Sequence, residues 1–331
     1  MDLPLASALF VTFALTLYVM LDGFDLGVGA LLLFQSEETL RNRMVDAIMP
    51  TWDGNETWLI MAGVGLLAAF PIAYGVLLPA FYLPLICMLL ALGLRGVSFE
   101  FRFQVDRGRP MWDLAFGLGS ITAALAQGLV VGGLLQGVMI ADGVHFAGSV
   151  FDVFRPFALL TAVTVLAGYT VLGSAWLHLK STGTLRTFSE RVLRRATPAF
   201  VGLAAVVCIA ASLIQPGIRA AWSTHELLLD LITALFLTTS AALMRAIGGR
   251  SDGRPFYLAL GLFALGIAGL GCAVFPDIVP FRLSLWAAAS STLSHIFLLV
   301  GAAIVTPVVL AYSAFSYRVF RGKTPEEGWE V

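Results

Sequence analysis

Two aspartates, Asp22 and Asp25, interrupt the first long apolar stretch of the chain, in the segment LDGFDLGVG at 21–29. On a helix, their i, i+3 spacing points both carboxylates to nearly the same side. Counting back about 1.5 Å per residue from the polar start at Gln35 puts Asp25 roughly 15 Å deep in a membrane. A charge at the membrane centre costs roughly 2.5 to 3.5 kcal/mol on insertion scales, so such carboxylates indicate a functional site by default.

The glycines of the same segment favour a second interpretation. Gly23, Gly27 and Gly29 allow a neighbouring helix to approach closely, and the aspartates would then bond to backbone or arginine groups and hold the bundle together. Against this, two carboxylates so close repel each other, and burial favours a proton on one of them at neutral pH, as a proton-conducting or cation-binding site requires. The residues alone leave both interpretations open.

A second cluster is the segment PTWDGNETW at 50–58. Asp53 and Glu56 have the spacing of a helix N-cap and its N3 partner, and the positive end of the helix would favour both carboxylates. Trp52 and Trp58 are typical of an interfacial aromatic belt. A capping carboxylate at a helix entry can also be the first acceptor of a cytoplasmic proton, so the two roles are compatible.

The third cluster is RGVSFEFR at 95–102. Arg95 and Arg102 lie i, i+7 on one helical face, whereas Glu100 lies on another face. Arginines near the end of a spanning helix usually extend towards the interface. Arg95 is the deeper of the two and is a candidate counter-ion for an aspartate of the first stretch.

The histidines and cysteines do not indicate a metal or haem site in this chain. A b-type haem in a membrane bundle needs intramembrane His or Met ligands. Of four histidines, His145 and His225 fall in predicted outer loops, His178 ends a span beside Lys180, and His295 is alone in an apolar helix. The three cysteines are Cys87, Cys208 and Cys272, which have neither CxxC nor CxxCH spacing.

The elements that position these residues follow from composition. The 331 residues are 59% hydrophobic and 12% charged, and their mean hydropathy is +0.89. Such values predict an all-α integral membrane protein. The net charge of -1 gives no reason to expect nucleic-acid binding.

About nine spans are predicted, because a bilayer core needs roughly 20 apolar residues per helix. Their approximate ranges are 4–34, 54–77, 79–101, 112–139, 156–178, 197–215, 223–247, 255–275 and 286–316. The second and third are separated by a tight turn or kink at Leu78 and Pro79. We expect a single membrane domain, 1–331, made of two four-helix bundles (1–140 and 155–276) and one additional peripheral helix (286–316).

Orientation follows from the basic residues. The loops after the first, third, fifth, seventh and ninth spans carry most of the basic residues, including Arg41, Arg107 and Arg250, whereas the opposite loops offer only Arg155, Arg219 and Arg282. The positive-inside rule makes the basic loops cytoplasmic, with Met1 outside and the C-terminus inside. No Lys or Arg precedes Arg41, so the first span lacks the basic region of a cleaved signal and is expected to stay.

The three clusters, in this order and separation, strongly resemble subunit II of cytochrome bd-type quinol oxidases. Weaker matches extend the resemblance to the full length; they lie at 111–113, 134–137, 155–157, 275–276, Pro307 and Tyr312. The resemblance implies a bacterial inner-membrane terminal oxidase that oxidises quinol and reduces oxygen to water. It also implies that protons enter from the cytoplasm through Asp53, Asp25 and Asp22, with Glu56 as a further member of the pathway. Structural or counter-ion roles are implied for Arg95, Glu100, Trp52 and Trp58.

The same resemblance places the redox chemistry in a partner, subunit I. That subunit is expected to carry two b-type haems and either haem d or a third b-type haem, and this chain none. A structurally bound quinone, a small single-helix accessory subunit, quinol and lipid are further expected partners. Many family members have Trp-Asp-Ala at the start of the last helix, where this chain has Trp286-Ala287-Ala288, which weakly suggests the cyanide-insensitive branch.

Two other functions fit the residues. A stand-alone secondary transporter could use the first-span aspartates for a coupling proton or cation, although only one helix shows the glycine-interrupted pattern that transporters repeat in both halves. The other function is that of a purely structural partner protein whose carboxylates take no part in proton or ion transfer.

Overall fold

The computed structural model describes residues 2–105, 108–142, 144–249 and 251–324; Met1, Arg107 and Arg250, used above for orientation, lie outside these ranges. The helices are α1 (Leu3–Leu32), α2 (Glu38–Asp46), α3 (Trp52–Ala69), α4 (Pro71–Ala80), α5 (Tyr82–Gln104), α6 (Arg109–Gln136), α7 (Pro156–Lys180), α8 (Gly183–Ile214), α9 (Pro216–Thr224), α10 (Glu226–Ala246), α11 (Arg254–Val274) and α12 (Thr292–Val319). Two short antiparallel hairpins, β1 (Ile140–Ala141) with β2 (His145–Phe146) and β3 (Asp277–Val279) with β4 (Leu283–Ser284), and a 3₁₀ helix at Asp152–Phe154 lie in the loops.

The prediction of an all-α membrane protein is confirmed. Eight helices of the described part are long and apolar enough to cross a membrane. The second predicted span is not one of them: α3 begins with the polar residues Asp53, Asn55 and Glu56 and ends at Ala69, and α4 begins at Pro71, a proline that has no N–H to continue the helix. The second predicted span, 54–77, is therefore divided between two successive helices.

The predicted break between the second and third spans is displaced. Pro79 lies inside α4, and the chain leaves helical geometry at Phe81, between α4 and α5. The start of α3 nevertheless meets the end of α5: Trp52 stacks on Phe99 with ring centroids 5.1 Å apart. The chain therefore reverses direction between these two positions, as a helical hairpin requires.

Two predicted span boundaries are wrong. α8 begins at Gly183, well before the predicted 197, because its first turns form a polar helix outside the apolar run. The last helix begins at Thr292, with Ser291 as its N-cap, so 286–291 lie outside it. The short helices α2 and α9 were not predicted, since a nine-residue helix carries little periodic signal.

The loops form two groups at opposite ends of the helices. At one end, the Asp2 side chain accepts a hydrogen bond from Trp286, and Gln215 donates to the backbone of Gln136. At the other end, the Lys180 side chain donates to Phe320 O and the Thr324 N–H to Lys180 O. Contacts within each group agree with a chain that alternates between two faces of a membrane.

α1 lies at the centre of the helix packing, where it contacts α3, α6 and α7. At Gly27 an added Cβ would overlap the carbonyl oxygen of Tyr169 on α7, so α1 and α7 are in backbone contact there. Phe24 stacks on Trp176 of α7, with ring centroids 4.4 Å apart. Because α1 and α6 both pack against α7, the predicted halves 1–140 and 155–276 share a broad contact, and their division into two units stays a prediction.

Candidate proton-carrying carboxylate cluster

One arginine joins two of the predicted carboxylates. Nη2 of Arg95 on α5 lies 2.6 Å from Oδ1 of Asp22 on α1 and 3.0 Å from Oε2 of Glu56 on α3. Arg95 and Asp22 are excluded from solvent, whereas the Glu56 side chain is 27% exposed. Three helices therefore meet at a single guanidinium.

Asp25 belongs to the same cluster but has different partners. It is fully buried one turn after Asp22, and its Oδ2 accepts a hydrogen bond of 2.8 Å from the Asn55 amide. Tyr317 of α12 donates to the Asn55 oxygen at 2.8 Å, which turns the amide N–H towards Asp25. Among the described residues, Oδ1 of Asp25 has no hydrogen-bond partner.

The carboxylates are ordered from the surface to the interior. Asp53 is exposed in the first turn of α3, Glu56 follows one turn later with partial exposure, and Asp22 and Asp25 are buried. The exposed end belongs to the face that bears the basic loops. The start of α3 therefore brings the exposed carboxylate of Asp53 close to the buried carboxylates of Asp22 and Asp25.

The structure corrects three expectations about these segments. Thr51, not Asp53, is the N-cap of α3, and no side-chain capping hydrogen bond forms, since Glu56 turns to Arg95 instead. Trp58 is completely buried, so it is not part of an interfacial belt.

Arg102 does not extend to the interface either. It is 3% exposed, and its Nε lies 2.6 Å from Oδ1 of Asp113 on α6. The other oxygen of Asp113 is 2.8 Å from Nε of Arg41, which follows α1. This carboxylate joins two arginines from two helices, α2 and α5, whereas Glu100 is exposed on the opposite face of α5. Asp46 of α2 interacts with Arg102 as well. Burial raises the pKa of Asp46, and the positive charge of Arg102 opposes that rise.

The glycines and aspartates of the first motif serve different neighbours. A Cβ at Gly23 or Gly27 would meet Tyr169 of α7, and one at Gly29 would meet Ser120 of α6. The aspartates instead face α3 and α5. Close packing and a polar site, which the residues alone left as alternatives, thus both occur in this segment.

The buried histidines lack the surroundings of haem ligands. Nδ1 of His178 lies 3.5 Å from Glu190, and Nδ1 of His295 is 2.8 Å from the Ser7 hydroxyl. They lie near opposite ends of the helices, on α7 and α12. We therefore assign no step to a haem in this chain, and that it holds none stays a prediction.

Several polar residues around the cluster were missed by sequence reasoning. They are Tyr18, Asn55, Gln127, Tyr169 and Tyr317. A glutamine or tyrosine inside an apolar span was the available signal, but its hydrogen-bond partner lies on another helix and could not be read from spacing.

Comparisons with known proteins identify the family of the chain. The model of the family described as cytochrome bd terminal oxidase subunit II matches residues 3–320. The chain is 31% identical to the "Probable cytochrome oxidase subunit 2" of Haemophilus influenzae, over 91% of this chain and 90% of that protein. It is 29% identical to the "Cytochrome bd-I ubiquinol oxidase subunit 2" of Escherichia coli K12, over 98% and 95%.

A solved structure shows the same fold. The bd oxidase from Geobacillus thermodenitrificans contains a chain that superposes with a TM-score of 0.80 at 15% identity, covering 97% of this chain and 99% of that one. Together with the full-length family match, this decides against a stand-alone transporter. The chain belongs to the cytochrome bd terminal oxidase subunit II family, and is thus a subunit of a quinol oxidase whose complex contains haem and a subunit I.

Proposed function

We propose that this subunit carries protons from the cytoplasmic side into the membrane interior of the oxidase, through Asp53 and Glu56 to Asp25. Asp22 and Arg95 form a fixed ion pair beside this route. The observation that supports the proposal is a charge imbalance: three carboxyl groups, those of Asp22, Asp25 and Glu56, share one arginine in a largely buried site.

That imbalance has a physical consequence. Burying an uncompensated charge costs several kcal/mol, and one guanidinium cannot neutralise three carboxylates. The least costly state keeps a proton on at least one carboxyl at neutral pH. A group that holds a proton inside a membrane and has a carboxylate route to the surface is suited to transfer it.

Asp25 is the best candidate for this group. Asp22 and Glu56 each contact Arg95, whereas Asp25 is held by the neutral amide of Asn55. Its Oδ1 has no partner among the described residues, so no hydrogen-bond donor competes with a proton bound to that oxygen. Burial without a cation favours the neutral acid.

Asp53 is the proposed entry point. It is exposed at the start of α3, one turn from Glu56. Glu56 is partly exposed and reaches Arg95. A proton taken up at Asp53 therefore needs to travel roughly one helical turn to reach the buried cluster.

The membrane placement is part of the proposal. The basic loops face the cytoplasm of a bacterial inner membrane, with the N-terminus in the periplasm and the C-terminus in the cytoplasm. The redox groups are two b-type haems with haem d or a third b-type haem in subunit I. A small accessory subunit, a structural quinone and bound lipid complete the assembly that we expect.

The test uses Asp25→Asn and Asp53→Asn in the oxidase purified with its partner subunit. Quinol-driven oxygen consumption should fall by about 10²-fold or more for Asp25→Asn, the size expected for a removed proton-transfer group, with haem spectrum and subunit ratio unchanged. Asp53→Asn should give a smaller loss, because water can reach Glu56 directly.

A matched control removes a carboxylate that lies elsewhere on a membrane helix. Asp230 is exposed on α10, away from the cluster, so Asp230→Asn should leave turnover unchanged. Normal turnover in both cluster variants would refute the proposed route.

A further inference from the structure

A chain of three polar side chains lies beside the carboxylate cluster, within the membrane-spanning helices. Tyr169 on α7 donates to Oε1 of Gln127 on α6 at 2.5 Å. Nε2 of Gln127 donates to the hydroxyl oxygen of Tyr18 on α1 at 2.8 Å. The two tyrosines are almost completely buried, and Gln127 is half-buried.

The hydrogen bonds of this chain run in one direction. A glutamine amide has a separate acceptor and donor, so Gln127 accepts from one tyrosine and donates to the other. The oxygen of Tyr18 is then occupied, and its own proton is left to donate. The donated hydrogens therefore point from Tyr169 to Gln127 and from Gln127 to Tyr18, and the Tyr18 hydrogen is left for a further acceptor.

The next acceptor in that direction is Asp22. It follows Tyr18 by four residues on α1, so both side chains lie on the same face of the helix. Neither of its oxygens accepts a well-aligned hydrogen bond in the described part of the chain, from Tyr18 or from any other residue, although Nη2 of Arg95 lies 2.6 Å from Oδ1. The Tyr18 hydroxyl accepts from Gln127 and keeps its own proton, so it can supply the donor that this carboxylate lacks.

We propose that Gln127 is a positioning residue that fixes Tyr18 as a hydrogen-bond donor to Asp22, so that Asp22 stays ionised beside Arg95 and the mobile proton is confined to Asp25. This inference rests on the proposed proton route and deepens it. Hydrogen bonds to a carboxylate favour its charged form, and the effect is larger inside a membrane, where no bulk water replaces them.

The glutamine also limits where protons can go. An amide donates and accepts, but it cannot pass a proton along without changing its own bonding. The tyrosine–glutamine chain therefore orients Asp22 and does not extend the route towards α7.

The test measures the protonation of Asp22 directly. Gln127→Met keeps a side chain of similar length but removes both hydrogen bonds. In the intact oxidase at neutral pH, the infrared spectrum should gain a carboxylic-acid C=O band that disappears when Asp22→Asn is added. Oxygen consumption should fall about fivefold, the factor that corresponds to losing the single hydrogen bond from Tyr18 to Asp22.

A second variant keeps the inference testable if Gln127→Met does not assemble. Tyr169→Phe removes only the donor to Gln127, so the same band should appear at lower intensity. Thr164→Val is the control. Within the described part of the chain, this α7 hydroxyl bonds only to its own helix, at Leu160 O, so the variant should add no band.

The outcomes separate this inference from the proposed function. An assembled Gln127→Met oxidase without a new band, or with a band that survives Asp22→Asn, would overturn the role of Gln127. If the band appears as expected while Asp25→Asn keeps full turnover, the proton route fails but the positioning of Asp22 stands.

Discussion

Arg95 on α5 holds Asp22 on α1 across the interface of two membrane helices, with Nη2 and Oδ1 2.6 Å apart and both side chains excluded from solvent. An intact buried pair contributes little net stability, because the cost of desolvating both charges offsets their attraction. Breaking it is costly, since the remaining charge is buried alone.

Arg95→Gln should therefore destabilise the oxidase strongly. The expected cost is about 3–5 kcal/mol, the range for removing one partner of a buried pair. Thermal inactivation and the yield of assembled complex measure it. Arg155→Gln, at an exposed arginine, should change neither. Adding Asp22→Asn to Arg95→Gln should recover part of the loss; a double variant no more stable than the single one would contradict the pairing.

Close approach of α1 and α7 predicts sensitivity at Gly27. An added Cβ would overlap Tyr169 O, and since backbone cannot move aside as a side chain can, Gly27→Ala should cost at least about 1–3 kcal/mol. The melting temperature of the purified complex measures it. Gly63→Ala on α3 is the control and should be neutral, because no heavy atom of the described residues lies within 4 Å of a Cβ added there. Equal melting temperatures for the two variants would argue against this contact.

The hydrogen bond from Tyr317 to Asn55 predicts an effect on proton transfer. Tyr317→Phe frees the amide to rotate away from Asp25, so oxygen consumption should fall about fivefold without loss of haem, as expected for one hydrogen bond. Tyr312→Phe makes the same change on the same helix at a 63% exposed residue and should be silent. A loss of similar size in both variants would point to α12 packing rather than to Asn55.

An ionic cluster of Asp252, Arg186 and Lys323 holds the segment after α12, and its contribution to stability depends on pH. Hydrogen bonds from Lys323 and then Arg186 hold the pKa of Asp252 below its ordinary value of 3.8. The folded-state pKa is thus below the unfolded one, so this contribution is present at neutral pH and is lost as pH falls below about 4.

Asp252→Asn should release the same segment at neutral pH. Faster amide exchange of Thr324, whose N–H bonds to Lys180 O at 2.8 Å, is the expected result. Asp152→Asn removes an exposed carboxylate at the other end of the helices and is the control. Unchanged exchange at Thr324 would show that the Lys180 and Phe320 contact suffices to hold the segment.

Part of the site could be predicted because its signals are local. Asp22 and Asp25 share a helix, so their common direction follows from spacing, and their burial follows from the apolar residues around them. The capping prediction for Asp53 failed for the opposite reason: spacing admitted it, but Arg95 on another helix offered Glu56 a stronger partner than the α3 backbone.

The sequence by itself determined the membrane class, most of the spans and the family, because hydropathy and the three motifs are properties of consecutive residues. Only the tertiary structure decided which carboxylates Arg95 holds, namely those of Asp22 and Glu56. It also decided that Asn55 and Tyr317 orient Asp25 and that Gln127 joins two tyrosines beside Asp22. These contacts join residues on different helices, and their geometry depends on how closely glycines such as Gly27 let the helices approach.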